Sequence, residues 1–113
     1  MTKRNHLKLN PLQSRTLVLF QELARSPETS SVDEVTGEVT ITLLPHPHGD
    51  HMHIGRYVVS ARDASGFTNP AVWKALERKG LAKTDFPLRI VLTPSGLDYD
   101  TGLGELLMHD SDH

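Results

Sequence analysis

The chain contains no cysteine, which excludes both a disulfide framework and a thiolate metal site and is compatible with a reducing compartment. No apolar run approaches the roughly 20 residues needed to span a bilayer. The basic opening, MTKRNHLKLN, lacks the apolar middle of a secretory signal. A cytoplasmic protein with no membrane partner is the expectation. Also missing are a P-loop, a dinucleotide fingerprint, a Gly-x-Ser-x-Gly elbow and a cysteine nucleophile, so the common enzyme motifs are absent and a non-enzyme is expected. One further absence is local: residues 26–54 contain no Lys or Arg.

That gap belongs to a block pattern of charge. Residues 1–25 are net +4 and residues 26–54 net −5, while residues 55–93 carry seven basic groups against Asp63, Glu77 and Asp85 and the remainder is net −5. The overall charge of −2 hides this segregation. Affinity for nucleic acid follows the local basic face and not the molecular sum, which keeps such a partner open for the 55–93 segment. With 113 residues, 37% hydrophobic and 23% charged, the chain has the size and balance of one soluble domain able to bury its own core. A single domain over 1–113 is expected, with flexible ends at 1–9 and 108–113.

Local signals place the elements. Asn10-Pro11 is a helix start, because Asn accepts a bond from an orphan amide and Pro lacks only an amide that would go unpaired. Gln13 can complete a capping box, and Leu12, Thr16, Leu19, Phe20 and Leu23 recur at helical spacing. The spacing predicts a core helix from Pro11 to Arg25. The polar run from Glu28 to Gly37 reads as a surface loop. A second helix should start at Asn69-Pro70 and stop at Gly80, burying Val72, Ala75 and Leu76. Ala61 to Ser65 could form a brief helix before it. Short strands are expected at Leu81–Lys83 and Leu88–Leu92, and a weak helix after Thr93-Pro94, where several glycines oppose it.

The densest feature is LLPHPHGDHMHIGRY, with His46, His48, His51 and His53 flanking Gly49-Asp50. Val39 to Leu44 and Met52 to Val59 both carry β patterns. A two-residue loop at Gly49-Asp50 suits a hairpin turn, giving a β-hairpin over about 39–59. In that register His48 faces His51, His46 faces His53, Leu43 faces Arg56 and Ile41 faces Val58. The four histidines would share one face with Thr40, Thr42 and Tyr57. Val39, Ile41, Leu43, Met52, Ile54 and Val58 would form the core face. Pro45 and Pro47 then fall at outward positions of an edge strand, where they are tolerated.

From Ala61 to Gly96 the chain resembles a winged helix-turn-helix domain. The resemblance rests on the Gly66 turn, the helix NPAVWKALERKG, the phrase Leu76-Glu77-Arg78-Lys79-Gly80-Leu81, and Leu92-Thr93-Pro94-Ser95-Gly96. It implies an α+β, winged-helix-like small domain with an N-terminal helix. In that superfamily the second helix of the motif enters the DNA major groove and the following hairpin touches the backbone. Thr68, Asn69, Trp73 and Lys74 would then face double-stranded DNA, with Arg78 and Lys83 nearer phosphates. A core role or a homodimer contact stands as the alternative for Trp73.

The histidines carry a second resemblance. His46-Pro47-His48-Gly49-Asp50-His51 is similar to the His-x-His-x-Asp-His signature of the metallo-β-lactamase superfamily, whose members bind zinc for hydrolysis. Activating water needs further ligands and an open position, and only His109 and His113 follow downstream. Metal binding without catalysis is the better fit: His46, His48, His51 and His53 could hold Zn, Ni or Cu, all suited to imidazole, with Asp50 adding an oxygen or orienting a ring. The sequence thus supports two functional classes. One is a DNA-binding or transcription-regulatory module, open to metal control. The other is a non-catalytic metal-binding or protein-interaction domain built on the histidine hairpin.

Overall fold

Three Asx- or Thr-Pro pairs set the helices. Asn10 caps the first by accepting the Gln13 amide at 2.8 Å, while the Gln13 side chain accepts the Asn10 amide at 3.1 Å. In the computed structural model, which describes residues 5–45, 49–54 and 57–103 and the backbone of 109–110, this cap opens α1 (Pro11–Ala24). The element order continues β1 (Ser30–Val32), β2 (Val39–Ile41), β3 (His51–Ile54), β4 (Tyr57–Ser60), a 3-10 turn (Ser65–Thr68), α2 (Pro70–Arg78), β5 (Ala82–Asp85), β6 (Arg89–Leu92), α3 (Pro94–Asp98) and β7 (His109–Asp110). Among the described residues this is an α+β fold of three α-helices and two antiparallel sheets, ordered β1-β2-β6-β5 and β3-β4-β7.

The first helix is the hub. Ser14, Thr16, Leu17, Val18, Leu19, Phe20, Leu23 and Ala24 are all buried, and residues so spread around a helix leave it little free surface. It packs against α2, α3, the 3-10 turn and strands of both sheets. Val39 and Ile41 of β2, Ile90 and Leu92 of β6, Met52 and Ile54 of β3, and Val59 of β4 belong with its buried apolar residues to one hydrophobic core. Thr16 satisfies its buried hydroxyl by donating to the Leu12 carbonyl at 2.7 Å. Close beside it the 3-10 turn presses on the helix at Gly66, where any Cβ would run into the Thr16 side chain.

The histidine segment departs from the expected hairpin. Val39–Ile41 pairs with β1 and β6, placing Ile41 opposite Ser30 and Ile90 and not Val58. Met52 to Val59 is not one strand but a hairpin of its own: His51 lies opposite Ser60, His53 opposite Val58 and Ile54 opposite Tyr57. The stretch 39–59 is therefore divided between the two sheets, and Thr40 and Thr42 do not share a face with His51 and His53. The change of partner also shifts the frame. With Tyr57 opposite Ile54, Val59 takes the core position expected of Val58 and is 1% exposed. Leu43, expected in the core, is 56% exposed just beyond β2. His46, Pro47 and His48, and hence the expected pairs that include them, lie outside the described residues.

The partner that displaced the expected one came from the presumed loop. Ser30–Val32 forms an edge strand on β2, and the turn that joins them is organised by Asp33. Its carboxylate accepts the amides of Val35 at 2.9 Å and Thr36 at 3.3 Å, and these two bonds, Val35 first, hold its pKa below the ordinary value, while its own amide donates to the Glu38 carbonyl.

The remaining elements follow their local signals. Helix α2 ends in a Schellman motif: Gly80 at φ +76° lets the Gly80 amide reach the Glu77 carbonyl and the Leu81 amide reach the Leu76 carbonyl. Thr93 caps α3 by accepting the Gly96 amide at 3.1 Å and donates its hydroxyl to the Gly80 carbonyl. The brief helix expected at Ala61–Ser65 appears as turns leading into the 3-10 segment. In the stretch 1–9, expected to be flexible, Leu9 is buried and Asn5 is bound by Leu9, Tyr99 and the Asp100 carbonyl.

Candidate nucleic-acid interface and histidine strand

Helix α2 is positioned by what surrounds it. Asn69 spends its side chain on the cap, accepting the Ala71 amide at 3.0 Å. Val72, Trp73, Ala75 and Leu76 are buried against α1, β5 and the 3-10 turn. The exposed remainder is Pro70, Ala71, Lys74, Glu77 and Arg78. Lys74 and Arg78 lie four residues apart, one turn along the same face. Glu77 is tied to the following hairpin, where the Thr84 amide and hydroxyl donate to its two carboxylate oxygens at 3.2 and 3.3 Å. That clamp fixes the β5–β6 hairpin against the helix.

The six residues assigned to DNA from the sequence divide four ways. Thr68, Lys74 and Arg78 are exposed. Lys83 is exposed but paired, its ammonium 2.7 Å from Glu38 on β2's leading edge. Asn69 is half-buried and committed to its cap. Trp73 is 0% exposed and cannot face a ligand outside the core: its ring meets Phe20 edge-on with centroids 5.6 Å apart and Phe86 at 4.9 Å. The physical reason is that α2 is covered on two sides, by α1 and by the hairpin, so its buried stripe is wider than the spacing of Val72, Ala75 and Leu76 implies.

The histidines are less gathered than the sequence suggested. His51 and His53 alternate with the buried Met52 and Ile54, so both project from the outward face of β3. Their rings lie 5.1 Å apart, nearly perpendicular, and His51 Nδ1 is 3.5 Å from the Asp50 carboxylate. The other two expected ligands, His46 and His48, lie outside the described residues. Among the described residues no group of three or more histidine or acidic side chains converges on a metal position.

No protein-family model matches this chain, and comparison with curated proteins and with solved structures finds no match. Among the described residues no helix is long and apolar enough to cross a membrane. Besides the Lys83–Glu38 pair, sequence reasoning missed that Arg15 of α1 and Asp63, 48 positions later, approach to 3.6 Å beside a cavity. Nothing in their sequence spacing signals that approach, because the turn after β4 brings them together.

Proposed function

We propose that the chain is a winged-helix-like, DNA-binding regulatory module. The observation that carries the reading is the exposed Lys74 and Arg78 stripe on α2, rigidly coupled to the β5–β6 hairpin through Glu77 and Thr84. A recognition helix followed by a hairpin on its flank is the arrangement such a module uses to reach a groove and the adjacent backbone. The element order supports the same reading. After α1 come β1 and β2, an inserted β3–β4 hairpin that belongs to the other sheet, the turns and 3-10 segment at 61–68, α2, and then β5–β6, with β2 pairing on β6 as the third strand of that hairpin's sheet. Thr68, at the end of the 3-10 turn, adds a hydroxyl near the helix entry, and Lys83 can release Glu38 for a phosphate.

Fluorescence anisotropy with random duplex DNA at two salt concentrations tests it. Binding should weaken with salt at a slope of about −0.9 per neutralised phosphate, and Lys74→Ala/Arg78→Ala should flatten the slope by roughly two contacts. Absence of binding at low salt, or binding indifferent to salt, rules the reading out.

A second reading has its own observation. The paired rings of His51 and His53 on an outward strand face offer two imidazoles to Zn, Ni or Cu. A non-catalytic metal-binding or protein-interaction surface follows from it, and the two readings meet in a metal-responsive regulator.

A further inference from the structure

A cavity of about 410 Å³ opens between the start of α1, the segment before it, the turn after β4 and the residues following α3. Its size falls in the roughly 300–1,000 Å³ of small-molecule sites. Leu9, Pro11 and Leu103 supply apolar wall, and Ser14, Arg15 and Asp63 supply polar wall. The two charges are the unusual feature. Arg15 Nε and Asp63 Oδ1 stand 3.6 Å apart, too far for a hydrogen bond, and Nε is shielded from solvent with no hydrogen-bond partner among the described residues. Both side chains are about one-third exposed, 32% and 36%. The pair is thus an open one: the guanidinium keeps donors and the carboxylate keeps acceptors to spend on a ligand.

A ligand with a single charge fits poorly. A carboxylate brought to Arg15 would also meet Asp63, and an ammonium brought to Asp63 would also meet Arg15, so attraction and repulsion largely offset. A zwitterion avoids the conflict by presenting its carboxylate to the guanidinium and its ammonium to the carboxylate. An aliphatic side chain would then lie against Leu9 and Leu103. We infer that this cavity is a binding site for a free aliphatic α-amino acid. The inference does not depend on whether α2 contacts DNA.

Calorimetric titration of the full chain with L-leucine tests it, with 4-methylpentanoate and isoamylamine as the two single-charge analogues. Leucine should bind with a dissociation constant in the millimolar range or tighter, at least about tenfold better than either analogue. Arg15→Gln and Asp63→Asn should each weaken leucine binding by about tenfold or more, and thermal melting confirms that each variant is folded. Amide shift mapping on the unmodified protein gives a readout that no variant can compromise, with leucine expected to move Leu9, Asp63 and Leu103. No leucine binding at millimolar concentration, equal binding of either analogue, or shifts confined to other parts of the chain overturns the inference.

Discussion

Trp73 carries the largest side chain of the core and was also the residue whose placement the sequence left open. Three apolar positions, Val72, Ala75 and Leu76, define a narrow stripe on a nine-residue helix, and Trp73 falls beside it. Whether that neighbouring position is wet or dry depends on what packs there, which is a property of α1 and the β5–β6 hairpin and not of α2. Phe20 and Phe86 settle it by closing on the indole from two sides. Its Nε1 has no hydrogen-bond partner among the described residues, and leaving such a group buried costs about 1–3 kcal/mol. Trp73→Ala should therefore lower unfolding free energy by about 3–5 kcal/mol. Trp73→Phe should lose far less, because it removes the orphan N–H along with part of the ring. Urea denaturation of both variants checks this; an alanine variant of unchanged stability would return Trp73 to the surface.

The helices were legible as elements and the strand partners were not, and the cause is the range of the interactions involved. Asn10, Asn69 and Thr93 each accept an amide within three residues and each precedes a proline, so every helix start could be read from a window of four positions. Strand pairing has no such window. Val39–Ile41 chose Ser30–Val32, seven to eleven positions upstream, and Arg89–Leu92, some fifty downstream, over the histidine strand. The polar Ser-Ser-Val run gave no alternation to announce a strand. What survives of the histidine face is the alternation within β3 itself, since i and i+2 share a face whatever the partner. His51 and His53 thus remain neighbours on one strand face, and under the proposed metal-binding reading they would supply two imidazole nitrogens to an ion bound at about 2.0–2.1 Å. Zinc or nickel titration of the native chain should show binding at least about tenfold tighter than to His51→Ala/His53→Ala. Equal weak affinity for both proteins would leave the pair as solvated surface residues.

At the scale of the whole molecule, the chain is closed by contacts between its distant parts. Tyr99, just past α3, donates its hydroxyl to Asn5 Oδ1 at 2.6 Å and accepts the Leu7 amide at 2.9 Å, while Lys79 at the end of α2 donates to the Leu7 carbonyl at 2.9 Å. These bonds span more than 70 positions and fasten the opening segment across the ends of α2 and α3. They also set one wall of the amino-acid cavity, because Asn5 and Leu9 are held by the same network. Tyr99→Phe keeps the ring against His6 and removes the hydroxyl, leaving the partly buried Leu7 amide and one Asn5 acceptor site without their partner. The expected cost is about 1–3 kcal/mol of global stability. A more specific consequence lies in amide exchange. Leu7 and Leu9 should lose protection well before the amides of α1, since the segment can detach while the helix stays capped by Asn10 and Gln13. Uniform loss of protection through residues 5–24 would mean instead that the opening segment and α1 unfold as one unit, and that the cavity wall is as stable as the core.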